Sequence, residues 1–481
     1  MLKAPAPKQY ALEMVSLEEL VPKDHLLRTI ERYIDFDFIR DATASLYCDN
    51  NGRPAIDPVV LFKMLFIGYL FGVRSERQLV KEVQVNVAYR WFLGMGLTDK
   101  VVDASTFSQN RRRRFEGTDI EQLIFDQMVE QAIRHGLIGG HALYTDSTHL
   151  KANANRNRHT THEVELTPMA YLEELNRAIE ADRQAQGKKP LRAQGKQVRT
   201  KPTKISTTDA DAGYMVRDQK PEGFFYLDHR TVDGQHNIIT DSHVTPGNIN
   251  DSRPYLERLD RQRERFGLQP QVVGLDAGYN TVAVCHGLVE REIAGVVGYK
   301  RPHSPKGQFK RRQFTYDQAH DLYRCPQGEA LVYASTGRDG YRQYKSNPRI
   351  CVDCPLLDQC TRGRNHQKVM IRHVWEDERE QINQNRLTSW GQKVYARRRE
   401  TVERSFADAK QLHGHRYARY RGIAKVQAQC LLAAACQNMK KIARLRAVFL
   451  RLLAVCRLAG RVYARDQCIG RSFMGIATQS T

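Results

Sequence analysis

Arg399, Glu403 and Lys410 are spaced four and seven residues apart near the C-terminal end of the chain. An α-helix turns about 100° per residue, so one helix running from Tyr395 to Lys410 would put all three, with Phe406, on a stripe about 60° wide. One carboxylate would then stand between two cations, able to hold a metal ion against a phosphate while the bases grip a nucleic-acid backbone. The competing reading is a plain i, i+4 ion pair on a solvated helix face. Two upstream aspartates weigh against it. Asp146 lies in the run His141–Leu150 and Asp276 in Gln271–Tyr279, each after apolar or β-branched residues and before small ones. That pattern predicts a buried strand delivering a carboxylate at its C-terminal edge, although either aspartate alone could cap a turn. Three converging carboxylates would repel one another without cations, and an all-oxygen site suits Mg²⁺ or Mn²⁺. The chemistry of such a site is in-line displacement at phosphorus, with one of two ions activating the attacking oxygen and the other stabilising the leaving one.

Several elements are needed to carry these residues. From residue 1 to about 135 the pattern is mostly helical: Asp57-Pro58 offers an N-cap and a first-turn proline, Ser75–Gln78 a capping box, and Trp91-Phe92 a core anchor. Short helices ahead of Ser105–Ser108 and Arg111, Arg112, Arg113 and Arg114 would suit a helix-turn-helix-like DNA reader, or else a helical cap that only packs on the core. Residues 136–300 read as an α/β core. Phe224–Asp233 and His236–Thr245 alternate as antiparallel strands, helices are expected over Ser252–Phe266 and Thr281–Glu292, and Ile293–Tyr299 closes the series as a fifth strand. Three antiparallel strands followed by alternating helix and strand is the order of a ribonuclease-H-like sheet. A basic insertion over 151–205, with one helix from Pro168 to Gln186, interrupts it. Residues 385–445 would complete the core with Glu403, and a basic helical tail would follow over 446–481.

Between these parts, residues 301–384 form a Cys-rich insertion. Cys325, Cys351, Cys354 and Cys360 fall within 36 residues and include one Cys-x2-Cys pair. Their number and softness suit a structural tetrahedral Zn²⁺, with reduced free thiols as the alternative and disulfides disfavoured inside a cell. Cys48, Cys285, Cys430 and Cys436 sit in apolar helical context and read as core residues.

Lys plus Arg number 75 against 54 Asp plus Glu in 481 residues, a formal charge of +21. A polyanion is the natural partner, since neutralising phosphates releases counterions. Met1–Lys8 lacks the apolar core of a signal peptide, and the longest apolar run, Val59–Val73, contains Lys63 and is short of the roughly 20 residues a membrane span needs. The expectation is a cytoplasmic, nucleoid-associated protein with no membrane partner. His149, His243 and His286 read as structural histidines, because a two-metal mechanism needs no imidazole base. Asp251 could contact the site, but a helix N-cap ahead of Arg253-Pro254 explains it more simply.

An ordered set of motifs spans most of the chain: Gly52–Leu65, Asp103–Phe107, Asp146–Asn153, Ser206–Asp209, Leu275–Tyr279 and Thr401–Lys410. In these motifs the chain resembles the DDE transposases of bacterial insertion sequences, from the group with a helical N-terminal domain ahead of a ribonuclease-H-like core. The resemblance implies that Asp146, Asp276 and Glu403 hold the catalytic metals and that Lys410 contacts DNA. It also implies an enzyme that cuts double-stranded DNA at the ends of its own element, joins them to target DNA, and works as a homodimer or larger synaptic complex. In many relatives the signature reads Tyr, two residues, Arg, three residues, Glu, six residues, Lys. Here Tyr395 and Arg398 keep the first spacing but Glu403 arrives one residue late, while Arg399 keeps the distance to Glu403. The helical-face argument favours Arg399 as the phosphate-holding arginine and leaves the roles of Arg398 and Tyr395 open. A stand-alone nuclease on the same core and a silent, transposon-derived DNA-binding regulator are the rival readings.

Overall fold

A computed structural model describes residues 14–48, 55–165, 171–192, 200–216, 222–299 and 306–474. Met1–Lys8, the Gly52–Pro54 start of one motif, Pro168 and part of the Lys188–Lys204 run lie outside these residues. The chain divides into two compact units, one of 1–139, 238–244 and 405–481, the other of 140–237 and 245–404.

The first unit is helical. Its N-terminal part holds α1 (Leu17–Leu20), α2 (Leu26–Tyr33), α3 (Phe38–Thr43), α4 (Pro58–Leu70), α5 (Glu76–Val85), α6 (Val87–Phe92), α7 (Ala104–Asn110) and α8 (Ile120–Arg134). The expected caps are present: the Asp57 carboxylate accepts the Val59 N–H at 2.8 Å with Pro58 in the first turn, and Ser75 Oγ accepts from Gln78. α4 is apolar on nearly every side, with Leu61, Phe62, Met64, Phe66 and Ile67 buried, as a helix enclosed by others must be. Its lysine is tolerated because Lys63 Nζ meets Glu31 at 2.7 Å and lies over the Phe36 and Phe92 rings. α17 (Ile423–Met474) packs against α2, α4 and α8. Among the described residues no helix is long and apolar enough to cross a membrane. Phe92 is the core anchor; Trp91 is not, since its indole N–H reaches the exposed Glu18 carboxylate at 2.6 Å with Arg28 over the ring.

The second unit opens with β1 (Ala142–Lys151), then β2 (His159–Glu165), α9 (Leu172–Ala185), β3 (Thr200–Ser206), β4 (Gly213–Met215), β5 (Gly223–Asp233) and β6 (Ile239–Pro246). α10 (Tyr255–Phe266), β7 (Val272–Leu275), α11 (Val282–Glu290) and β8 (Ala294–Val297) follow. The sheet runs β4-β5-β1-β7-β8, with β6, whose last residues Thr245 and Pro246 belong to this unit, paired to β5. β1 is antiparallel to β5 and parallel to β7, and β7 is parallel to β8. The mixed sheet therefore has the expected ribonuclease-H-like order. β5 is buried along its whole length, so it forms the centre of this unit's core. The basic insertion contributes β2 and β3 as a separate two-stranded sheet together with α9.

The Cys-rich insertion has more structure than its sequence announces. β9 (Thr315–Asp317), β10 (Leu322–Arg324), β11 (Ala330–Thr336), β12 (Tyr341–Lys345) and β13 (Val369–His373) form an antiparallel sheet in the order β13-β12-β11-β10-β9. α12 (Pro348–Cys351) and α13 (Leu357–Cys360) lie between its last two strands. Strands such as Tyr341-Arg-Gln-Tyr-Lys345 carry tyrosines among charges, and only the small core they share, Phe314, Tyr323, Leu331, Tyr344 and Met370, reveals them. α14 (Glu376–Asn385) and α15 (Ser389–Ala396) return the chain to the main sheet, where both pack on β8, and α16 (Val402–Leu412) begins in this unit and continues in the first.

Candidate active site

The register of the parallel pair brings the first two acids together. Thr145 on β1 is opposite Leu275 on β7, so the next residues, Asp146 and Asp276, emerge side by side where the pairing ends. Asp276 leaves its strand as expected, capping a short turn by accepting the Gly278 N–H at 2.8 Å. Asp146 does not end a strand. β1 continues to Lys151 because its antiparallel bonding to β5 persists after β7 has stopped.

Small residues make this approach possible. A Cβ on Gly274 would stand 2.6 Å from the Tyr144 ring on the neighbouring strand. One on Gly298, just past β8, would stand 2.7 Å from Ala277 N, 2.8 Å from Tyr395 Oη and 3.1 Å from the Asp276 carbonyl carbon. Gly298→Ala must therefore push on the backbone that carries Asp276. Misplacement of a reacting group by about 1 Å costs on the order of 10²-fold in rate. That loss is expected in DNA cleavage, with unchanged DNA retention in a gel-shift assay.

The third acid joins through an arginine. Arg398, nearly buried, donates from Nη2 to Asp146 Oδ2 at 2.7 Å, and its Nη1 lies 3.8 Å from Glu403 Oε1. Its guanidinium also sits over the Tyr395 ring at 5.4 Å and reaches Tyr395 Oη at 3.4 Å. The expectation for Arg399 is corrected here. A single helix from Tyr395 to Lys410 is not formed: α15 stops at Ala396, residues 397–401 make a turn, and α16 begins at Val402. The Glu403 N–H bonds to the Arg398 carbonyl, five residues back, at 3.1 Å. The residue by which Glu403 comes late is absorbed in that wide turn, which leaves Arg398 facing the acids and Arg399 exposed. Glu403 and Lys410 do share α16, two helical turns apart.

A fourth acid, which sequence reasoning weighed for the site and set aside as a cap, lies beside the first. Asp251 is not the N-cap of α10, which is Pro254; its Oδ1 accepts from Ser147 Oγ at 2.8 Å, beside Asp146. Its place shortly after β6, in a turn that returns to the same sheet end, is the only sequence signal that could have decided for the site. Electrostatically the site is short of positive charge. Burial pushes the Asp146 carboxyl up to about 6; Arg398 opposes the rise, and the charges of Asp276 and Asp251 add to it. Carboxylates that oppose one another's ionisation in an all-oxygen setting are the donors a hard divalent cation would stabilise.

The arginine run lies in the other unit and divides. It continues α7 as a π-helical turn over Arg111–Phe115. Arg111 pairs with Glu76, bonds Tyr420 Oη at 2.9 Å and stacks over that ring. Arg114 bonds Asn110 and lies over Tyr47. Arg112 and Arg113 are exposed. His149 packs edge-on to Phe225, and His286 is held by Glu378 and Glu174, outside the acid cluster.

A ribonuclease-H-like sheet with acids gathered where its parallel strands end defines a class of phosphoryl-transfer enzymes. Sequence comparison narrows the class: residues 15–113 match a Transposase domain (DUF772) and residues 324–443 a Transposase DDE domain. The chain thus carries two transposase domains, the second of the DDE type, whose family depends on divalent metal. Glu403 and Lys410 fall within the second match, while Asp146 and Asp276 precede it. No curated protein matches the chain. Among solved structures, a piggyBac transposase synaptic complex with hairpin DNA is similar at 11% identity and a TM-score of 0.32, covering 88% of this chain and 76% of that one. The Mos1 mariner paired-end complex with Mn is similar at 12% identity and a TM-score of 0.16, covering 59% and 69%. Likenesses this faint do not define a shared fold.

Proposed function

We propose that this transposase cuts DNA at the ends of its own insertion sequence and joins the freed 3′-hydroxyls to target DNA, using Asp146, Asp276 and Glu403 as its catalytic acids. The observation that carries this reading is the side-by-side emergence of Asp146 and Asp276, with Arg398 spanning from Asp146 to Glu403. The three carboxylates would hold two Mg²⁺ or Mn²⁺ ions, which supply charge neutralisation and an activated oxygen nucleophile when bound. Arg398 balances Asp146 and aims Glu403 at it. Lys410, two turns along α16, would grip a phosphate of the same strand, and Arg399, Arg112 and Arg113 offer exposed charge for the DNA backbone. Two element ends must be handled together, so a homodimer or larger synaptic assembly is the expected working form, in the cytoplasm with the nucleoid. The test is an end-cleavage and strand-transfer assay on DNA carrying the element's flanks. Joined products that require Mg²⁺ or Mn²⁺ are expected. Nicking without joining would favour a nuclease, and specific binding without cleavage a regulator.

We further propose that Cys325, Cys351, Cys354 and Cys360 hold one structural Zn²⁺. Cys325 and Cys360 pack on the small core of the five-stranded sheet. Burial pushes the Cys360 thiol up, Lys368 lowers it, and Cys351, Cys325 and Cys354 lie near enough to raise it further. No three of these sulfurs lie within 4.8 Å of one another, so a Zn²⁺ would have to draw them in. A sheet with so little core gains most from such a staple. About one chelator-resistant zinc per chain is expected by elemental analysis, lost in the Cys351→Ser/Cys354→Ser variant. Equal zinc in that variant would contradict the assignment.

A further inference from the structure

Outside the acid cluster, His286 on α11 is surrounded by carboxylates from three helices. Its Nε2 is 2.9 Å from Glu174 Oε1 on α9 and 3.5 Å from Glu290 Oε1 one turn along α11, while its Nδ1 is 2.7 Å from Glu378 Oε2 on α14. The ring stacks on Trp375 at 3.9 Å and 6°, and only 12% of the side chain is exposed, so its orientation is set. With Nδ1 donating to Glu378, Nε2 of a neutral imidazole faces two carboxylate oxygens with no hydrogen to offer. Carboxylate oxygens of Glu174 and Glu290 also lie within 4.8 Å of each other. Acceptors that face one another in this way need either extra protons or a cation among them.

We propose that Glu174, Glu290 and His286 Nε2 form a second metal site that takes a transition-metal dication, with Zn²⁺ as the best match, and that Glu378 orients the imidazole. One ligand atom from each of the three already lies within 4.8 Å of the others. A mixed imidazole and carboxylate set is softer than the catalytic acids and harder than the cysteines, and it suits Zn²⁺ among the common dications. A carboxylate on the far ring nitrogen is the usual partner of a metal-bound histidine, because it fixes the tautomer and raises ligand basicity. The placement gives the ion a purpose. α9 belongs to the basic insertion, and its far end holds the Cys-rich sheet through Asp182, which accepts from Arg342 Nε at 2.7 Å and Thr336 Oγ1 at 2.5 Å. An ion at its near end would pin the insertion to α11 of the core.

The test titrates chelator-stripped full-length protein with Co²⁺, in an Asp146→Asn/Asp276→Asn background that removes the catalytic acids. Thiolate ligation gives an intense near-ultraviolet charge-transfer band, whereas nitrogen and oxygen ligation gives weak visible bands alone, so the cysteine cluster is told apart. The expected result is one Co²⁺ equivalent per chain bound without thiolate absorption, lost in Glu174→Gln/Glu290→Gln while the thiolate band is unchanged. Glu378→Gln, which keeps every ligand, should weaken that equivalent by about 10–100-fold. Equal non-thiolate binding in parent and double variant, or none in the parent, would overturn the assignment, and so would an unaltered affinity in Glu378→Gln. None of these readouts depends on transposition.

Discussion

Asp276→Asn is expected to abolish DNA cleavage while leaving DNA affinity nearly intact. The amide keeps the shape of the side chain and still accepts the Gly278 N–H that holds the turn, so the backbone after β7 need not move. What it removes is one negative charge from a cluster whose proposed role is to hold divalent ions at a scissile phosphate. Loss of several kcal/mol of transition-state stabilisation corresponds to a fall on the order of 10³-fold or more. Affinity should hold because it comes mainly from Lys and Arg contacts to phosphates, not from the acids. Nicking of an end-containing substrate in Mg²⁺, read beside a gel-shift titration, separates the two. Retained cleavage would exclude Asp276 as a metal-binding residue. Asp251→Asn belongs in the same series, since it distinguishes an acid that only bonds Ser147 from one that shares the site.

The second large effect belongs to Arg398 and not to its neighbour. Arg398→Ala leaves the Asp146 carboxylate largely buried without its cation and releases Glu403 from the same guanidinium. Removing one partner of a buried pair costs about 3–5 kcal/mol, and about 2–3 kcal/mol is expected here because the Asp146 side chain keeps 20% exposure. Cleavage should fall at least as far as in Asp276→Asn, and thermal melting should show the loss of stability. Arg398→Lys keeps the charge without the fork that reaches both acids, so it should rescue stability more than cleavage. Arg399→Ala should melt within about 0.5 kcal/mol of the parent and lose only some DNA affinity. A reversed ranking of the two alanine variants would restore the single-helix reading of this segment.

Much of this site was legible in the residue pattern. The apolar runs before Asp146 and Asp276 announced strands, because a buried parallel strand must be apolar on both faces. The Asp57-Pro58 and Ser75 caps marked helix starts, because an N-terminal turn needs acceptors for its free N–H groups. These are local requirements, met by neighbours in the chain. Glu403 was singled out by its spacing to Lys410, a spacing that survives because both lie within α16.

Which residues meet was settled elsewhere. Whether Arg398 or Arg399 faces the acids turns on five residues, 397–401, that leave the helix so that Thr401 and Val402 can be buried. Propensity over so short a stretch cannot foresee that break, since packing overrides it. The same holds for Asp251, whose residue type fits a cap equally well until the sheet end is assembled around it. It holds again for His286, two of whose three carboxylate neighbours come from the distant positions 174 and 378. Local hydrogen bonding and apolar periodicity determined the strands, the helices and the acids at their ends. The partners of Asp146, the arginine that serves it and the ring of carboxylates around His286 were decided by tertiary packing, because side chains distant in sequence become neighbours only when the sheet and its helices close together.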